Sequence, residues 1–80
     1  MNIVFLQLGS NLGKRELLLQ DAIAAIEDRV GEVVEKSKVY ESTPWRMEGQ
    51  ENYLNQIVKV KTELLADDVL FTILDIEKEL

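Results

Sequence analysis

The sequence contains neither cysteine nor histidine among its 80 residues. Without cysteine the chain has no disulfide and no thiol nucleophile, and without histidine it has no imidazole base and lacks the usual zinc ligands. Binding of Mg²⁺ or Ca²⁺ through Asp and Glu is the metal chemistry that stays open. No nucleophile–base pair can be assembled from these residues, so a binding role is predicted in preference to a catalytic one.

Positive charge and long apolar runs are also scarce. Fifteen acidic residues against nine basic ones give a net charge of −6, and the lysines are scattered, whereas a nucleic-acid surface needs a basic stripe. The longest apolar runs, Ile3–Leu6 and Leu17–Leu19, are much shorter than a membrane span, and the start has no signal-peptide pattern. We therefore expect a cytoplasmic protein that binds neither nucleic acid nor membrane.

The hydrophobic pattern predicts the element order β-α-β-β-α. Residues 3–8 are apolar on both faces of a strand, which indicates a central strand. From about Lys14 the period becomes helical, and Gly31 is the predicted stop. The predicted apolar stripe of this first helix comprises Leu18, Leu19, Ala22, Ile23, Ile26 and Val30. Residues 33–40 and 53–62 alternate as strands, and Asp67 and Asp68 lie in the first turn of a second helix. The predicted apolar stripe of that helix comprises Val69, Leu70, Ile73, Leu74 and Ile76.

This order predicts an α+β domain, a ferredoxin-like β-α-β-β-α sandwich that lacks its final strand. In that topology the last strand pairs with the first. We therefore expect residues 3–8 to present an open apolar edge, through which the chain forms a homodimer.

The loop Gly9–Gly13 has two interpretations. Its glycines would let the backbone approach a phosphate at the helix N-terminus, although neither a dinucleotide fingerprint nor a P-loop is present. Alternatively, it is a turn in which Ser10 or Asn11 caps the helix. Read alone, the loop favours the turn.

The stretch Ser42–Trp45 and the pair Tyr53 and Asn55 are the second group of candidates. Pro44 keeps its neighbourhood extended and has no backbone donor, so nearby backbone groups could face a ligand. Tyr53 and Asn55 point to the same face of their strand, where an amide could read the edge of a planar heterocycle and a ring could stack on it. The plainer alternatives are a Trp45 that packs on the core edge, an asparagine bound to loop backbone and a tyrosine in ordinary packing.

The acidic residues Asp75, Glu77 and Glu79 near the chain end are interpreted as a charged helix face. A magnesium site made of paired carboxylates needs two acids that converge in space. The spacing here distributes them around the helix, so no metal ligands are predicted.

Several segments, in this order, resemble the 6-hydroxymethyl-7,8-dihydropterin pyrophosphokinase family. They are Gly9–Leu12, Ser37–Ser42, Pro44-Trp45, Tyr53–Gln56 and Asp75–Leu80. The resemblance covers the whole chain, residues 1–80, as the N-terminal portion of a single domain. It implies an enzyme of folate biosynthesis that transfers pyrophosphate from ATP to the hydroxymethyl group of the pterin, with two Mg²⁺ ions.

The same resemblance implies roles for individual residues. Ser42, Thr43 and Trp45 would line the pterin pocket. Tyr53 would pack near the pterin ring, and Asn55 would hydrogen-bond its edge.

On the nucleotide side, Glu77 matches an acidic position of the family, and Leu74 stands where some members have a glutamine that contacts ATP. Arg46 stands where a glycine is common. The family's basic catalytic loop and its metal-binding Asp-x-Asp pair follow the second helix. The 80-residue chain alone is therefore expected to be inactive and to bind neither ATP nor Mg²⁺ tightly.

Two other functions remain as alternatives. The chain could be a non-catalytic ferredoxin-like binding module that self-associates through its first strand. A nucleic-acid binder of the same fold class is more remote, because it would need exposed aromatic and basic groups on the sheet.

Overall fold

A computed structural model describes residues 1–10, 14–42 and 52–80. Within them the chain forms four strands and two helices. These are β1 (Asn2–Ser10), α1 (Arg15–Arg29), β2 (Glu32–Lys36), β3 (Tyr40–Ser42), β4 (Tyr53–Thr62) and α2 (Ala66–Glu79). No helix in the described ranges is both long and apolar enough to cross a membrane.

The strands form one antiparallel sheet in which β4 is central. β1 pairs with one side of β4, and both β2 and β3 pair with the other. The predicted α+β class and the ferredoxin-like arrangement are confirmed. Within the described residues β1 pairs with β4 alone, in agreement with the open edge expected for this strand.

The burial of side chains alternates along β1, whereas a central strand would be buried on both faces. Val4, Leu6 and Leu8 are half-buried and pack against the core under the helices. Ile3 and Phe5 point to the opposite face, which we call the open face, and are 48% and 68% exposed. Both faces of β1 are apolar, as the sequence indicated, but only one of them is covered by the described helices.

The second predicted strand is divided into β2 and β3. The register against β4 shifts once between Val33 and Glu35. It shifts again further on, because Lys36 pairs with Val58 and Tyr40 pairs with Asn55. Between these shifts the hydroxyl of Ser37 accepts a hydrogen bond from the Ile57 amide at 2.9 Å, while the Ser37 amide donates to the Ile57 carbonyl at 2.8 Å. The side chain of Ser37 thus replaces part of the ladder.

The apolar stripe predicted for α1 is confirmed. Its members lie on the sheet side of the helix, where Leu19, Ala22, Ile26 and Val30 are buried and Leu18 and Ile23 are half-buried. The core beneath them is centred on β4, in which Val58 and Val60 are fully buried. Because these two valines are two positions apart, they lie on the same face of β4, and the residues between and around them lie on the opposite face.

The end of α1 is fixed by two polar contacts with the chain around it. The Gly31 amide donates to the Ile26 carbonyl at 3.1 Å, which confirms Gly31 as the residue where the helix stops. The buried Thr62 hydroxyl donates to the Val30 carbonyl at 2.5 Å and accepts from the Leu64 amide at 3.1 Å. A backbone carbonyl left open at the helix end therefore has a partner.

The apolar stripe of α2 is narrower than predicted. Val69 and Ile76 are buried and Ile73 is half-buried. Leu70 and Leu74 are 57% and 43% exposed, so their assignment to the core is wrong. They lie one position further around the helix than Val69 and Ile73, about 100° away from the core-facing stripe.

The C-terminal ends of the two helices are joined by an ion pair between Arg29 and Glu79. The hydrogen bond that Arg29 donates to the Glu79 carboxylate raises the pKa of Arg29 above its ordinary value. Asp75 and Glu77 are exposed, in agreement with the predicted charged face.

Candidate functional site

Asn55 is the buried polar residue on the open face of the sheet. It lies near the start of the central strand, is 7% exposed, and is opposite Gly9 of β1 on one side and Tyr40 of β3 on the other. Three strands therefore meet at its side chain. An amide in such a place must have its hydrogen-bonding groups satisfied.

The Nδ2 of Asn55 is bonded within the protein. It donates to the Ser42 hydroxyl at 2.8 Å and lies 3.4 Å from the carbonyl oxygens of both Tyr40 and Tyr53. No hydrogen bond to its Oδ1 is seen from the residues that the structure describes. Because the two N–H groups are directed at these internal acceptors, the Oδ1 is the atom available to accept from a ligand.

Gly9 leaves the space beside this oxygen open. A Cβ on Gly9 would lie 3.3 Å from the Oδ1 of Asn55 and 3.8 Å from the Cδ1 of Tyr53. Glycine is therefore the residue that brings the β1 backbone close to the amide and the ring without covering them.

Two tyrosines border the amide. Tyr53 is 37% exposed and Tyr40 is 43% exposed, and the Tyr40 hydroxyl lies 3.5 Å from the Nε2 of Gln7. Ser42 is opposite Tyr53. The site thus combines exposed ring surface with an amide acceptor and a hydroxyl, the groups that suit a flat heterocycle with N–H donors on its edge.

The structure brings Ser42, Tyr53 and Asn55 together, whereas Thr43 and Trp45 lie outside the described residues. Sequence reasoning did not assign Tyr40, Gln7 or the role of Gly9. A signal for Tyr40 was present, since a residue two positions before Ser42 on an extended strand shares its face.

The two residues assigned to the nucleotide side are separated. Glu77 is exposed but lines a cavity of about 290 Å³ between β1 and the two helices, together with Gly9, Ser10 and Tyr53. Leu74 is not among the lining residues. Across the described ranges, no group of three acidic side chains could hold a metal ion.

Of the two residues predicted to cap the first helix, only Ser10 lies within the described residues. β1 extends through Ser10, and α1 begins at Arg15 without a side-chain cap. The Ser10 hydroxyl is buried and has no hydrogen-bond partner among the residues that the structure describes, so the prediction that Ser10 caps the helix is wrong. Asn11, the other predicted cap, lies outside the described residues.

Comparison with known proteins gives one consistent family. The profile of the 7,8-dihydro-6-hydroxymethylpterin-pyrophosphokinase (HPPK) family matches residues 5–80. The 2-amino-4-hydroxy-6-hydroxymethyldihydropteridine pyrophosphokinase of Porphyromonas gingivalis is 42% identical over 80 residues, which are 100% of this chain and 54% of that protein. The enzyme of the same name from Aquifex aeolicus is 43% identical over 79 residues, 99% of this chain and 49% of that protein.

A fungal protein is also similar. The folic acid synthesis protein fol1 of Pneumocystis carinii is 39% identical over 77 residues, which are 96% of this chain and 10% of that protein. The chain spans about half the length of the bacterial relatives. Since the family profile and these identities extend over nearly all 80 residues, the chain belongs to the HPPK family.

Proposed function

We propose that the full-length protein acts in folate biosynthesis in the cytoplasm, where it transfers pyrophosphate from ATP to the hydroxymethyl group of 6-hydroxymethyl-7,8-dihydropterin. Residues 1–80 supply much of its pterin pocket. Family membership supports the reaction, and the geometry at Asn55 supports the assignment of the pocket to this part of the chain.

The observation that carries the proposal is the fixed orientation of the Asn55 amide. Its Nδ2 is held by Ser42 at 2.8 Å, so its Oδ1 faces a ligand as an acceptor. A pterin presents N–H donors along its pyrimidine edge, and its flat ring can stack against Tyr53. Pairing a buried amide oxygen with such a donor gives both affinity and discrimination.

The described residues are poorly suited to bind ATP and Mg²⁺. Glu77 is placed beside a largely apolar cavity and Leu74 is an exposed apolar side chain. In the full-length protein we assign the magnesium ions, and most of the phosphate contacts, to segments other than the described ones.

A titration with 6-hydroxymethylpterin tests the pocket. Saturable quenching of Trp45 fluorescence is expected, and Asn55→Ala should weaken binding by roughly a hundredfold because a buried donor–acceptor pair is lost. Gln56→Ala is the matched control, since this neighbouring amide bonds the Ser37 carbonyl and should leave the affinity unchanged. Equal affinities of the wild type and Asn55→Ala, or no binding at millimolar ligand, would refute the proposed pocket.

The 80-residue polypeptide alone is expected to transfer no pyrophosphate. Phosphoryl-type transfer depends on positioning and on cations that neutralise developing charge, and the resemblance assigns those groups to segments that follow α2. The check is an assay for AMP formation with ATP, Mg²⁺ and the reduced pterin. Turnover above that of a sample treated with chelator would contradict this expectation.

Self-association through β1 is a second candidate, supported by the character of that strand. Its nine residues, Asn2–Ser10, include no charged residue and no proline, whereas exposed edges are commonly protected by such residues. Phe5 on this strand is 68% exposed. We propose that two copies of the polypeptide pair antiparallel through β1.

Light scattering of matched variants tests the dimer. The wild type should be dimeric at high concentration. Phe5→Glu should be monomeric, because a charge on the edge strand disfavours edge pairing. Phe71→Glu should stay dimeric, since Phe71 is exposed to a similar degree, 64%, but lies on α2. A monodisperse wild-type monomer would exclude the dimer.

A further inference from the structure

Arg15 occupies a position that helix stability does not explain. It is the first residue of α1 and follows another cation, Lys14. A helix N-terminus carries a partial positive charge, so cations there are unfavourable. The favourable sign in this turn is carried by the next residue, Glu16, so the position of Arg15 calls for another explanation.

The contacts of Arg15 connect α1 to the strands of the candidate site. Its NH1 donates to the Asn52 carbonyl at 2.6 Å. The Nδ2 of Asn52 in turn donates to the Glu41 carboxylate at 3.2 Å. We call Arg15, Asn52 and Glu41 the Arg15 clasp.

The clasp lies at the ends of both strands that form the site. Asn52 immediately precedes Tyr53, the first residue of β4, and Glu41 is the middle residue of the three-residue strand β3. Strand ends and very short strands open most readily. The contact between Asn55 and Ser42 at 2.8 Å spans these two ends, so a small separation of the strands would release the amide.

We propose that Arg15 is a positioning residue for the pterin site, acting through Asn52 and Glu41 to hold β3 against the start of β4. The inference rests on the proposed pterin site for its functional consequence. Its structural consequence, closure of this end of the sheet, can be measured without ligand.

Three measurements on Arg15→Ala test the clasp. Amide hydrogen exchange at residues 40–42 and 53–55 should accelerate at least about fivefold, while exchange at Val58 and Val60 stays unchanged. Binding of 6-hydroxymethylpterin should weaken roughly tenfold, as expected for the loss of one hydrogen bond from a charged donor. The melting temperature should fall by no more than about 3 °C, because the loosening is confined to two strand ends and leaves the core intact.

Arg15→Lys is the matched variant, because it keeps a charged donor on a long side chain that ends one atom short of the Arg15 NH1. It should restore wild-type exchange and at least half of the wild-type affinity. Unchanged exchange at the two strand ends in Arg15→Ala overturns the inference, as does a larger fall in melting temperature with faster exchange throughout the sheet. If local exchange accelerates but the wild type binds no pterin, the clasp stands and the proposed pocket fails.

Discussion

Replacing Gly31 with alanine is expected to lower the free energy of unfolding by about 3 kcal/mol, toward the upper end of the cost of overpacking. A Cβ on Gly31 would lie 2.1 Å from the Lys61 carbonyl oxygen and 2.9 Å from the Thr62 Cα. Both atoms belong to the backbone of the central strand, so they cannot move aside as a side chain would. A domain of this size is marginally stable, and the melting temperature should fall by more than about 10 °C.

Gly9→Ala is the control for this substitution. There the added Cβ would meet side-chain atoms of Asn55 and Tyr53 at 3.3 and 3.8 Å, which can adjust, so the loss of stability should be below about 1 kcal/mol. Urea denaturation followed by circular dichroism measures both variants. Equal stabilities of Gly31→Ala and the wild type would contradict the close packing of the α1–β2 turn against β4.

Replacing Asn55 with aspartate is expected to cost about 3 kcal/mol at neutral pH, although the two side chains have nearly the same shape. The carboxylate has no donors, so it would face the carbonyl oxygens of Tyr40 and Tyr53, both now 3.4 Å from the Nδ2. The Ser42 hydroxyl can turn to donate one hydrogen bond to the carboxylate, but one bond does not offset the lost hydration of the charge and its repulsion from two carbonyls. Pterin binding should be lost together with stability.

Asn2→Asp is the matched control, because Asn2 also donates to a carbonyl, that of Leu64 at 2.9 Å, but is exposed. Its cost should be below about 1 kcal/mol, since water can solvate the exposed carboxylate. Thermal unfolding of the two variants at pH 7 makes the comparison. Equal losses of stability in the two variants would contradict the conclusion that internal hydrogen bonds orient the Asn55 amide.

The elements and the class of fold could be predicted because they depend on local periodicity. The stripe of α1 from Leu18 to Val30 repeats at three and four residues, and in β4 Val58 and Val60 alternate with Ile57 and Lys59. Gly31 was identified as a helix stop from its type alone. The structure adds a reason that no sequence pattern contains, namely the approach of the Lys61 carbonyl.

The wrong predictions concern burial and pairing, which depend on distant segments. The apolar residues of β1 predict burial on both faces of the strand, yet Ile3 and Phe5 are exposed on the open face. Leu70 and Leu74 are as apolar as Val69 and Ile73, and only the packing of α2 decides which pair faces the core. Ser10 has the right type for a cap, but β1 continues through it.

Part of the candidate site was accessible from the sequence. Tyr53 and Asn55 share a face because they are two apart on a strand. The hydrogen bond from Asn55 to Ser42 could not be predicted, because it depends on the register in which β3 pairs with β4. That register depends on the number of extra residues between Glu32 and Ser42 that have no partner on β4. The register shifts twice between Glu32 and Ser42, and a different count would move Ser42 away from Asn55.

Whether the pterin binds on the open face of the sheet at Asn55 is determined by mapping amide chemical shifts as 6-hydroxymethylpterin is added to the ¹⁵N-labelled chain. The largest changes are predicted at Tyr40, Ser42 and Asn55, with little change at Ile73 and Ile76, which line the cavity on the helix side. Gly9 and Tyr53 border both places, so their shifts do not distinguish them. Changes centred on those two isoleucines, or none at millimolar ligand, would contradict the account.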